Sequence, residues 1–438
     1  MVCSRNMFSQ ETIFTSASEI KIFQERQLQK QLLYLKTNSA FYRQLFEKHA
    51  IKTENIKILE DLAKIPTTSK EDIQQQEKNF LCVSETAISE YTTTSGTLGE
   101  PVVFPLTEND LNRLAYNEYL SFRQAEVSEK DIILLTVTND RCFMAGLAYT
   151  LGARKTGAAL IRTGPGLPEM QWNMIARLQP TVIIAVPSFL LKMIEFAEKN
   201  GIDLGASSVQ KAICVGESLR NEDLSPNVLA KRIAEKWPIQ LFSTYASTEM
   251  STAFTECIHG QGGHLSPELL IVECLDENDI PVQDGETGEI TITTLGVEAM
   301  PLLRFKTGDI ARLHSETCAC GNPSLRIGPI MGRKKQMIKY KGTTFFPNAI
   351  KEILGTLDCV EGFYSLVCTN ELGLDELVVH ISLVIENAEA EKRIKEAFQS
   401  KLRVVPILSF KSKSEIDAVR LNASARKPIE FIDERKKI

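Results

Sequence analysis

The sequence lacks any apolar run long enough to cross a membrane. Its longest stretch, residues 181–191, is interrupted by Pro187 and Ser188 and is shorter than the roughly 20 residues that a membrane-spanning helix needs. The first residues, MVCSRNMFSQETIFTS, contain no apolar segment of the kind found in signal peptides. We therefore expect a protein with neither a secretory leader nor a membrane partner.

An excess of charge of one sign and a dense cysteine pattern are also lacking. Lys and Arg number 50 against 56 Asp and Glu, and the net charge is −6, which argues against nucleic acid or an anionic membrane as the main partner. Ten cysteines are scattered over 438 residues, unlike the disulfide framework of a small secreted domain. The sequence therefore predicts a reducing, cytoplasmic setting.

The length and the hydrophobic pattern predict an α/β protein of about two or three domains. Residues 131–244 alternate short, continuously apolar strands with helices, which is typical of a mainly parallel sheet covered on both faces. Ligands bind beyond the carboxyl ends of such strands, where this sequence has the stretches 216–217 and 245–249. Ser188 is predicted to cap the helix that follows the strand at residues 181–186.

The flanking segments have a different character. Residues 17–50 have apolar residues at helical spacing and predict one or two amphipathic helices. After Glu256 the strands alternate between apolar and polar residues, with a turn expected at Thr287-Gly288, which predicts a separate antiparallel or barrel-like part. We therefore expect a large N-terminal domain over residues 1–331 and a small, mobile α+β domain over residues 332–438.

The stretch TTTSGTLGEP, residues 92–101, is the most distinctive one in the chain. Its hydroxyl groups can donate hydrogen bonds to phosphate oxygens, and its glycines allow backbone N–H groups to surround an anion. Residues 102–104 then predict a strand that returns from the loop. The alternative is an ordinary hydroxyl-rich hairpin turn, because no GK[ST] sequence closes a Walker-type loop.

Four stretches in this order resemble the core motifs of the adenylate-forming ligase superfamily. They are TSGTLGEP from Thr94, YASTE from Tyr245, RFKTGD from Arg304 and GRKKQMIKYKG from Gly332. Four stretches support a resemblance to the phenylacetate–coenzyme A ligase branch: AMPLLRFKTGDIARL from residue 299, CACG from residue 318, GRKKQMIKYKGTTFFPNAIKE from residue 332 and RKPIEFIDERK from residue 426. The resemblance covers residues 40–435.

The resemblance implies ATP, Mg²⁺ and coenzyme A as cofactors. Glu249 would hold Mg²⁺, the alternative being an acid in the first turn of a helix. Tyr245 would lie along the adenine ring, and Glu217 would lie at the edge of the adenine. Asp309, expected at the end of a strand, would accept hydrogen bonds from the ribose hydroxyls; the alternative is a turn-forming Asp after Thr-Gly. The cofactor contacts implied by the family are Thr94, Ser95, Gly96, Thr97, Gly99, Gly216, Glu217, Tyr245, Ala246, Ser247, Thr248, Asp309, Arg333, Lys335, Lys341 and Gly342.

Lys427 is the catalytic residue that the resemblance implies, together with Glu249. A compact ammonium group suits the charge that shifts between the acyl carboxylate and the α-phosphate. In the family the C-terminal domain rotates between the two half-reactions about a hinge that matches Lys335. This sequence departs from the family at Arg426, Ile429 and Glu430 beside the lysine, and at Leu98 and Glu100 in the phosphate loop.

Three cysteines and a histidine form a candidate zinc site: Cys257, His264, Cys318 and Cys320. A Cys₃His set is typical of a closed structural site, and some members of the branch carry zinc here. The alternative is buried or spare thiols, because Cys-x-Cys is not a standard zinc-finger spacing.

The function implied is that of an ATP-dependent acid:CoA ligase acting on an aryl carboxylic acid such as phenylacetate. Phe143, Gly146 and Ala246 are candidate acyl-pocket residues by position, with core packing as the alternative. Two alternative functions stay open. The enzyme could transfer the acyl group to a carrier protein or an amine, or the protein could bind nucleotide without catalysing a reaction. A homodimer is an open alternative to a monomer.

Overall fold

A computed structural model describes residues 8, 12–94, 101–341, 343–369, 375–421 and 428–435. The chain forms two compact units. The first comprises Met1–Thr307 with Ala311–Ile330, and the second Gly308–Ile310 with Met331–Ile438. In the described part of the chain, no helix is both long and apolar enough to cross a membrane.

Eleven α-helices are found among the described residues. They are α1 (Ala17–Asn38), α2 (Ala40–Lys48), α3 (Lys70–Phe80), α4 (Glu108–Gln124), α5 (Met144–Thr156), α6 (Pro168–Leu178), α7 (Pro187–Asn200), α8 (Val228–Lys236), α9 (Pro347–Gly355), α10 (Ala388–Leu402) and α11 (Lys413–Arg420).

The described strands number twenty. They are β1 (Ile88–Thr93), β2 (Val103–Thr107), β3 (Ile132–Leu135), β4 (Ala159–Arg162), β5 (Val182–Ala185), β6 (Lys211–Val215), β7 (Gln240–Ser247), β8 (Thr252–Thr255), β9 (Gly263–His264), β10 (Leu270–Leu275), β11 (Thr287–Thr294), β12 (Phe305–His314), β13 (Arg326–Ile327), β14 (Gly332–Arg333), β15 (Ile338–Tyr340), β16 (Thr343–Phe345), β17 (Val360–Thr369), β18 (Asp375–Leu383), β19 (Ile407–Phe410) and β20 (Phe431–Asp433).

The predicted parallel sheet is confirmed. Strands β4, β3, β5, β6 and β7 pair in parallel in that order. The central strands bury apolar side chains on both faces, as the fully buried β5 does, whereas the edge strand β4 is half-exposed. The ladder then continues antiparallel through β8, β9, β13, β12, β11 and β10. The strands after Glu256 are therefore antiparallel as expected, but they extend the same hydrogen-bonded path instead of forming a separate part.

Local signals account for most helix ends. The two amphipathic helices predicted over residues 17–50 are α1 and α2, and Ser69 caps α3 in a capping box with Asp72. The predicted Ser188 cap is wrong: Val186 is the N-cap residue of α7 and Pro187 occupies the first turn, a position that suits the fixed φ of proline. The turn expected at Thr287-Gly288 is also wrong, since both residues lie in β11.

The second unit is a small α+β fold. Its four-stranded sheet has the order β19-β18-β17-β20, in which β17 and β18 are antiparallel and the outer pairs are parallel. Helices α9 and α10 bury Ile353, Ile394 and Phe398 in its apolar core. The parallel pairing of β20 with β17 anchors the segment just after Lys427.

Candidate nucleotide and metal sites

The hydroxyl-rich loop is closed by a side chain at its base. Strands β1 and β2 pair antiparallel, as the sequence predicts, and the Thr94 N–H donates to the Val102 carbonyl at 3.0 Å. The Val102 N–H in turn donates to Thr94 Oγ1 at 3.0 Å. Thr94 is therefore buried and holds the two ends of the loop together. Five predicted contacts lie outside the described residues: Ser95, Gly96, Thr97, Gly99 and Gly342.

The carboxyl end of β6 carries Gly216 and Glu217, as expected for a parallel sheet. Gly216 has a φ of 83°, a left-handed conformation that glycine adopts without steric cost. One Glu217 carboxylate oxygen accepts a hydrogen bond from the Ser188 N–H at 2.8 Å. Because this N–H belongs to the first turn of α7, the negative charge of Glu217 stabilises the positive end of that helix.

Glu249 lies in the turn between β7 and β8, which excludes the alternative of an acid in a helix. Ser247 pairs with Thr252, and the Ser251 N–H donates to the Thr248 carbonyl at 3.2 Å to close the turn. In the described part of the chain no salt bridge engages the Glu249 carboxylate. The carboxylate is half-buried and can offer oxygen ligands to a hard cation such as Mg²⁺.

Tyr245 stands in β7, ahead of the turn. Its ring lies against Phe254 of β8, with 5.8 Å between the ring centroids, and this contact fixes the ring at the edge of the larger apolar cluster of the first unit. Ala246, the next residue, is exposed, whereas Ser247 and Thr248 are half-buried. The Ser247 hydroxyl accepts from the Met250 N–H at 3.3 Å and so forms part of the turn.

The two other acyl-pocket candidates lie at the start of α5. Phe143 is its half-buried N-cap residue. A Cβ at Gly146 would come within 2.7 Å of Asn139 Cα and would also overlap the Thr138 carbonyl. Glycine at position 146 therefore lets α5 pack against the loop after β3, which favours the packing alternative for this residue.

Asp309 and Arg333 form an ion pair within the second unit. They are opposite each other in β12 and β14, and Arg333 Nε donates to Asp309 Oδ1 at 3.2 Å. Asp309 is buried, whereas Arg333 is largely exposed. The predicted position of Asp309 at a strand end is wrong, because β12 continues to His314. Gly308 lies inside this strand with a φ of 78°, and the Thr-Gly-Asp sequence around it resembles that of a turn.

The predicted hinge residue lies in a 3₁₀ turn, Lys334–Gln336. Arg435 reaches this segment from beyond β20, donating from Nη2 to the Lys335 carbonyl at 3.0 Å and from Nη1 to the Met337 carbonyl at 2.7 Å. Lys341 follows β15 with a φ of 48°, and its ammonium group lies 4.9 Å from the centre of the Tyr340 ring. Lys427 lies outside the described residues.

The four predicted zinc ligands meet at one point of the first unit. Their ligand atoms, on Cys257, His264, Cys318 and Cys320, all lie within 4.8 Å of one another. Cys257 Sγ is 3.7 Å from Cys318 Sγ, and Cys320 Sγ is 3.6 Å from His264 Nε2. The Ser324 hydroxyl lies 3.4 Å from His264 Nδ1, so Nε2 is the nitrogen that faces the thiols.

Burial and hydrogen bonding set the proton affinities of this cluster. Burial lowers the pKa of His264 to about 4, which keeps the ring neutral, the form that binds metals. Burial raises the pKa of Cys257 to about 12. Burial also acts to raise the pKa of Cys318, but hydrogen bonds from Cys320 and Cys257 outweigh it and the pKa is lowered. The donor set of three cysteine sulfurs and one neutral imidazole nitrogen fits a Cys₃His zinc site, and a bound metal would have to displace the proton of Cys257.

Two arginines were not singled out from the sequence: Arg113 on α4, which is buried, and Arg220 after β6, which is partly buried. Arg220 forms a bidentate ion pair with Glu256 at 2.8–3.2 Å, which links the segment after Glu217 to the strand that precedes Cys257. Isolated arginines carry no motif, so only the spatial arrangement identifies them. The Thr107-x-x-Asp110 capping box would have identified α4 itself.

The fold is that of an α/β protein whose candidate ligand residues Glu217 and Glu249 follow the carboxyl ends of the parallel strands β6 and β7. A sequence model described as AMP-binding enzyme matches residues 21–299, which is more than half of the chain. The protein therefore belongs to the AMP-binding enzyme family.

Curated relatives agree with the resemblance to the phenylacetate–coenzyme A ligase branch. The phenylacetate–coenzyme A ligase of Thermus thermophilus is 27% identical over 382 residues, covering 86% of this chain and 84% of the relative. That of Escherichia coli is 28% identical over 378 residues, covering 84% and 83% respectively. The branch predicted from the motifs is confirmed.

Solved structures confirm the predicted fold class. A crystal structure of 2-hydroxyisobutyryl-CoA ligase with R3-HIB-AMP matches with a TM-score of 0.84 at 19% identity, covering 96% of this chain and 90% of that one. An anthranilate CoA ligase with anthranoyl-AMP matches with a TM-score of 0.56 at 17% identity, covering 74% and 64% respectively.

Proposed function

We propose that the protein is an ATP-dependent acid:CoA ligase that forms AMP and activates an aryl carboxylic acid such as phenylacetate. The observation that carries this proposal is the match to the AMP-binding family, together with two acids, Glu217 and Glu249, that follow the adjacent parallel strands β6 and β7. The named activity of the curated relatives supports coenzyme A as the acceptor.

The reaction joins two anions, so the protein must hold them together and reduce their repulsion. In the first step a substrate carboxylate oxygen attacks the α-phosphorus of ATP and pyrophosphate leaves. In the second step the coenzyme A thiol attacks the acyl carbon and AMP leaves. Preorganised donors and cations lower the barrier of such a transfer.

We assign the contacts of the first step by residue. The loop closed by Thr94 binds the phosphates, Tyr245 packs along the adenine and Asp309 accepts from the ribose hydroxyls. Mg²⁺, held by Glu249, would supply positive charge to the phosphate oxygens. The Lys427 ammonium group stabilises the charge that moves from the acyl carboxylate to the α-phosphate.

The second step uses the smaller domain, residues 332–438, as a mobile element. A hinge at Lys335 removes Lys427 after adenylation and brings the segment of Lys341 and Gly342 to the acyl-adenylate. Arg435 donates to the Lys335 and Met337 carbonyls, so the chain from the Lys335 carbonyl onward is attached to the second unit. This attachment supports rotation of that unit about the backbone of Lys335 itself.

A structural zinc ion is part of the proposal. The four ligand atoms are close enough for one ion, and Ser324 orients His264, as outer-shell groups do in zinc sites. Bound zinc would join the segments that carry Cys257, Cys318 and Cys320, and so contribute to stability.

Glu430 is acidic where the family has a basic residue. This departure favours the alternative that the protein binds nucleotide without catalysing a reaction. The contacts weaken that alternative. The Glu430 carboxylate binds Lys351 at 2.9 Å and Arg420 at 3.2 Å, so its charge is neutralised within the second unit and does not repel a phosphate elsewhere.

The decisive experiment screens carboxylic acids for pyrophosphate exchange and for AMP release, with and without coenzyme A. We expect exchange that depends on an aryl acid, and AMP release that increases with free coenzyme A. Exchange without any response to coenzyme A would indicate a carrier protein or an amine as the acceptor. Absence of exchange with every acid would refute the ligase function. The cytoplasmic setting and a homodimer stay predictions for localisation and sedimentation experiments.

A further inference from the structure

One face of α4 carries three buried polar residues at four-residue intervals, Arg113, Asn117 and Ser121. Residues four apart lie on the same face of a helix. This face packs on β8, where apolar side chains would be the ordinary choice. Uncompensated burial of polar groups is unfavourable, so the polar stripe requires specific partners.

The residues of the stripe bond, in order, to Ser251 just before β8 and to positions further along β8. Arg113 Nη1 donates to the Ser251 carbonyl at 2.7 Å, and Nη2 donates to Thr252 Oγ1 at 3.1 Å. Asn117 Oδ1 accepts from the Ala253 N–H at 3.0 Å. Ser121 Oγ and Thr255 Oγ1 are 2.9 Å apart. The helix is therefore hydrogen-bonded in register with the strand.

The bonds of Arg113 continue into the turn that carries Glu249. Thr252 Oγ1, which accepts from Arg113, donates to the Met250 carbonyl at 3.1 Å. Ser251, whose carbonyl also accepts from Arg113, donates its N–H to Thr248. The guanidinium group thus supports the residues on both sides of Glu249.

Arg113 is itself held from a second direction. Its Nε donates to the Leu295 carbonyl at 2.7 Å, and Nη2 also donates to the Leu269 carbonyl at 2.6 Å. The side chain is 1% exposed. A planar guanidinium with several fixed donors can satisfy such divergent acceptors, whereas a lysine ammonium cannot reach them all.

We infer that Arg113 is a positioning residue that fixes the β7–β8 turn so that the Glu249 carboxylate is presented to Mg²⁺–ATP. The inference rests on the metal role proposed for Glu249. Thr252 transmits the constraint, because it bonds to the guanidinium and to the turn at the same time. Loss of either side chain would leave the Glu249 side chain chemically intact but allow the turn that carries it to move.

The test compares Thr252→Val with Thr255→Val, which are the same near-isosteric change at two buried threonines of β8. Only Thr252 bonds to Arg113 and the turn. ATP binding to the full-length protein is measured by calorimetry over a series of Mg²⁺ concentrations, and Mn²⁺ binding with ATP by electron paramagnetic resonance. Thermal unfolding of each variant reports stability.

For Thr252→Val we expect the Mg²⁺ concentration for half-maximal ATP affinity to rise about fivefold, the size that the loss of one ordinary hydrogen bond gives, because Arg113 keeps its bonds to three backbone carbonyls. Affinity for ATP without metal stays unchanged, and Mn²⁺ binding weakens in parallel. Thr255→Val lowers the unfolding temperature without moving the metal dependence. Arg113→Lys, where it folds, shows a larger shift than Thr252→Val.

Equal metal dependence of both valine variants and the wild type would overturn the inference and leave Arg113 a purely structural residue. The variant Glu249→Gln tests the metal role of Glu249 itself. If this variant also leaves the Mg²⁺ dependence of ATP binding unchanged, both the metal role of Glu249 and the inference about Arg113 are wrong. A wild-type protein that binds Mg²⁺–ATP but shows no carboxylate-dependent exchange would count against the ligase function alone, because the test is read from binding.

Discussion

Glu118 is predicted to make the protein less stable as the pH rises from about 5 to about 8. The side chain is 4% exposed at the contact between α4 and α5. Oε1 accepts from Asn117 Nδ2 at 3.1 Å, while among the described residues Oε2 has no hydrogen-bond partner. Burial raises its pKa from 4.5 to about 8, so the folded protein carries the neutral acid at neutral pH.

The sign of the effect follows from proton binding. Between the ordinary pKa and the raised one, the folded state binds a proton that the unfolded state has lost, so stability falls with rising pH. From the values of 4.5 and about 8, the folded state loses about 3.5 kcal/mol between pH 5 and pH 8. This is an upper estimate, because local opening would let water reach the carboxylate.

Glu118→Gln removes the titration while keeping the shape and the Asn117 contact. The difference in unfolding temperature between variant and wild type should grow by roughly 5 °C from pH 5 to pH 8, in favour of the variant. Burial, and after it the nearby charge of Glu118, raises the pKa of Tyr149 well above its ordinary value, so this phenol does not ionise in the same range. Calorimetric scans of both proteins at matched ionic strength give the comparison. Parallel pH profiles would refute a raised pKa at Glu118.

Three further predictions concern the proposed function. Lys427→Ala should reduce pyrophosphate exchange by orders of magnitude but spare thioester formation from preformed acyl-adenylate; equal loss of both would contradict a role limited to adenylation. Asp309→Asn should weaken ATP binding, because a charged acceptor is lost from the ribose, and unchanged calorimetric affinity would move ribose recognition elsewhere. Cys257→Ser should lower the zinc content from about one equivalent to well under half, with a lower unfolding temperature; a wild-type protein without zinc would refute the site.

The parallel strands could be predicted from the sequence because their signal is local. A continuously apolar run such as residues 181–186 predicts a strand buried on both faces, and β5 confirms it. The four candidate zinc ligands were identified as two short pairs, Cys257 with His264 and Cys318 with Cys320, and the fold brings the two pairs together.

Helix α4 was not predicted from the sequence because buried polar residues interrupt its apolar pattern. Arg113, Asn117 and Ser121 occupy the face that packs on β8, so the apolar period that signals a core-facing helix is broken. Their partners lie more than a hundred residues later in the chain, at positions 251–255, and no local rule connects the two. A residue whose partners are distant in sequence can be recognised only from the fold.

The contact of Glu217 bears on where the triphosphate is held. In α/β proteins the N-terminus of a helix that follows a parallel strand is a common phosphate site, because its N–H groups and dipole attract anions. At α7 that position is taken by the Glu217 carboxylate, which accepts from the Ser188 N–H. A phosphate placed there would meet a carboxylate of like charge, at a cost of several kcal/mol. The triphosphate is therefore expected away from α7, which supports its assignment to the loop that Thr94 closes and to Mg²⁺ at Glu249.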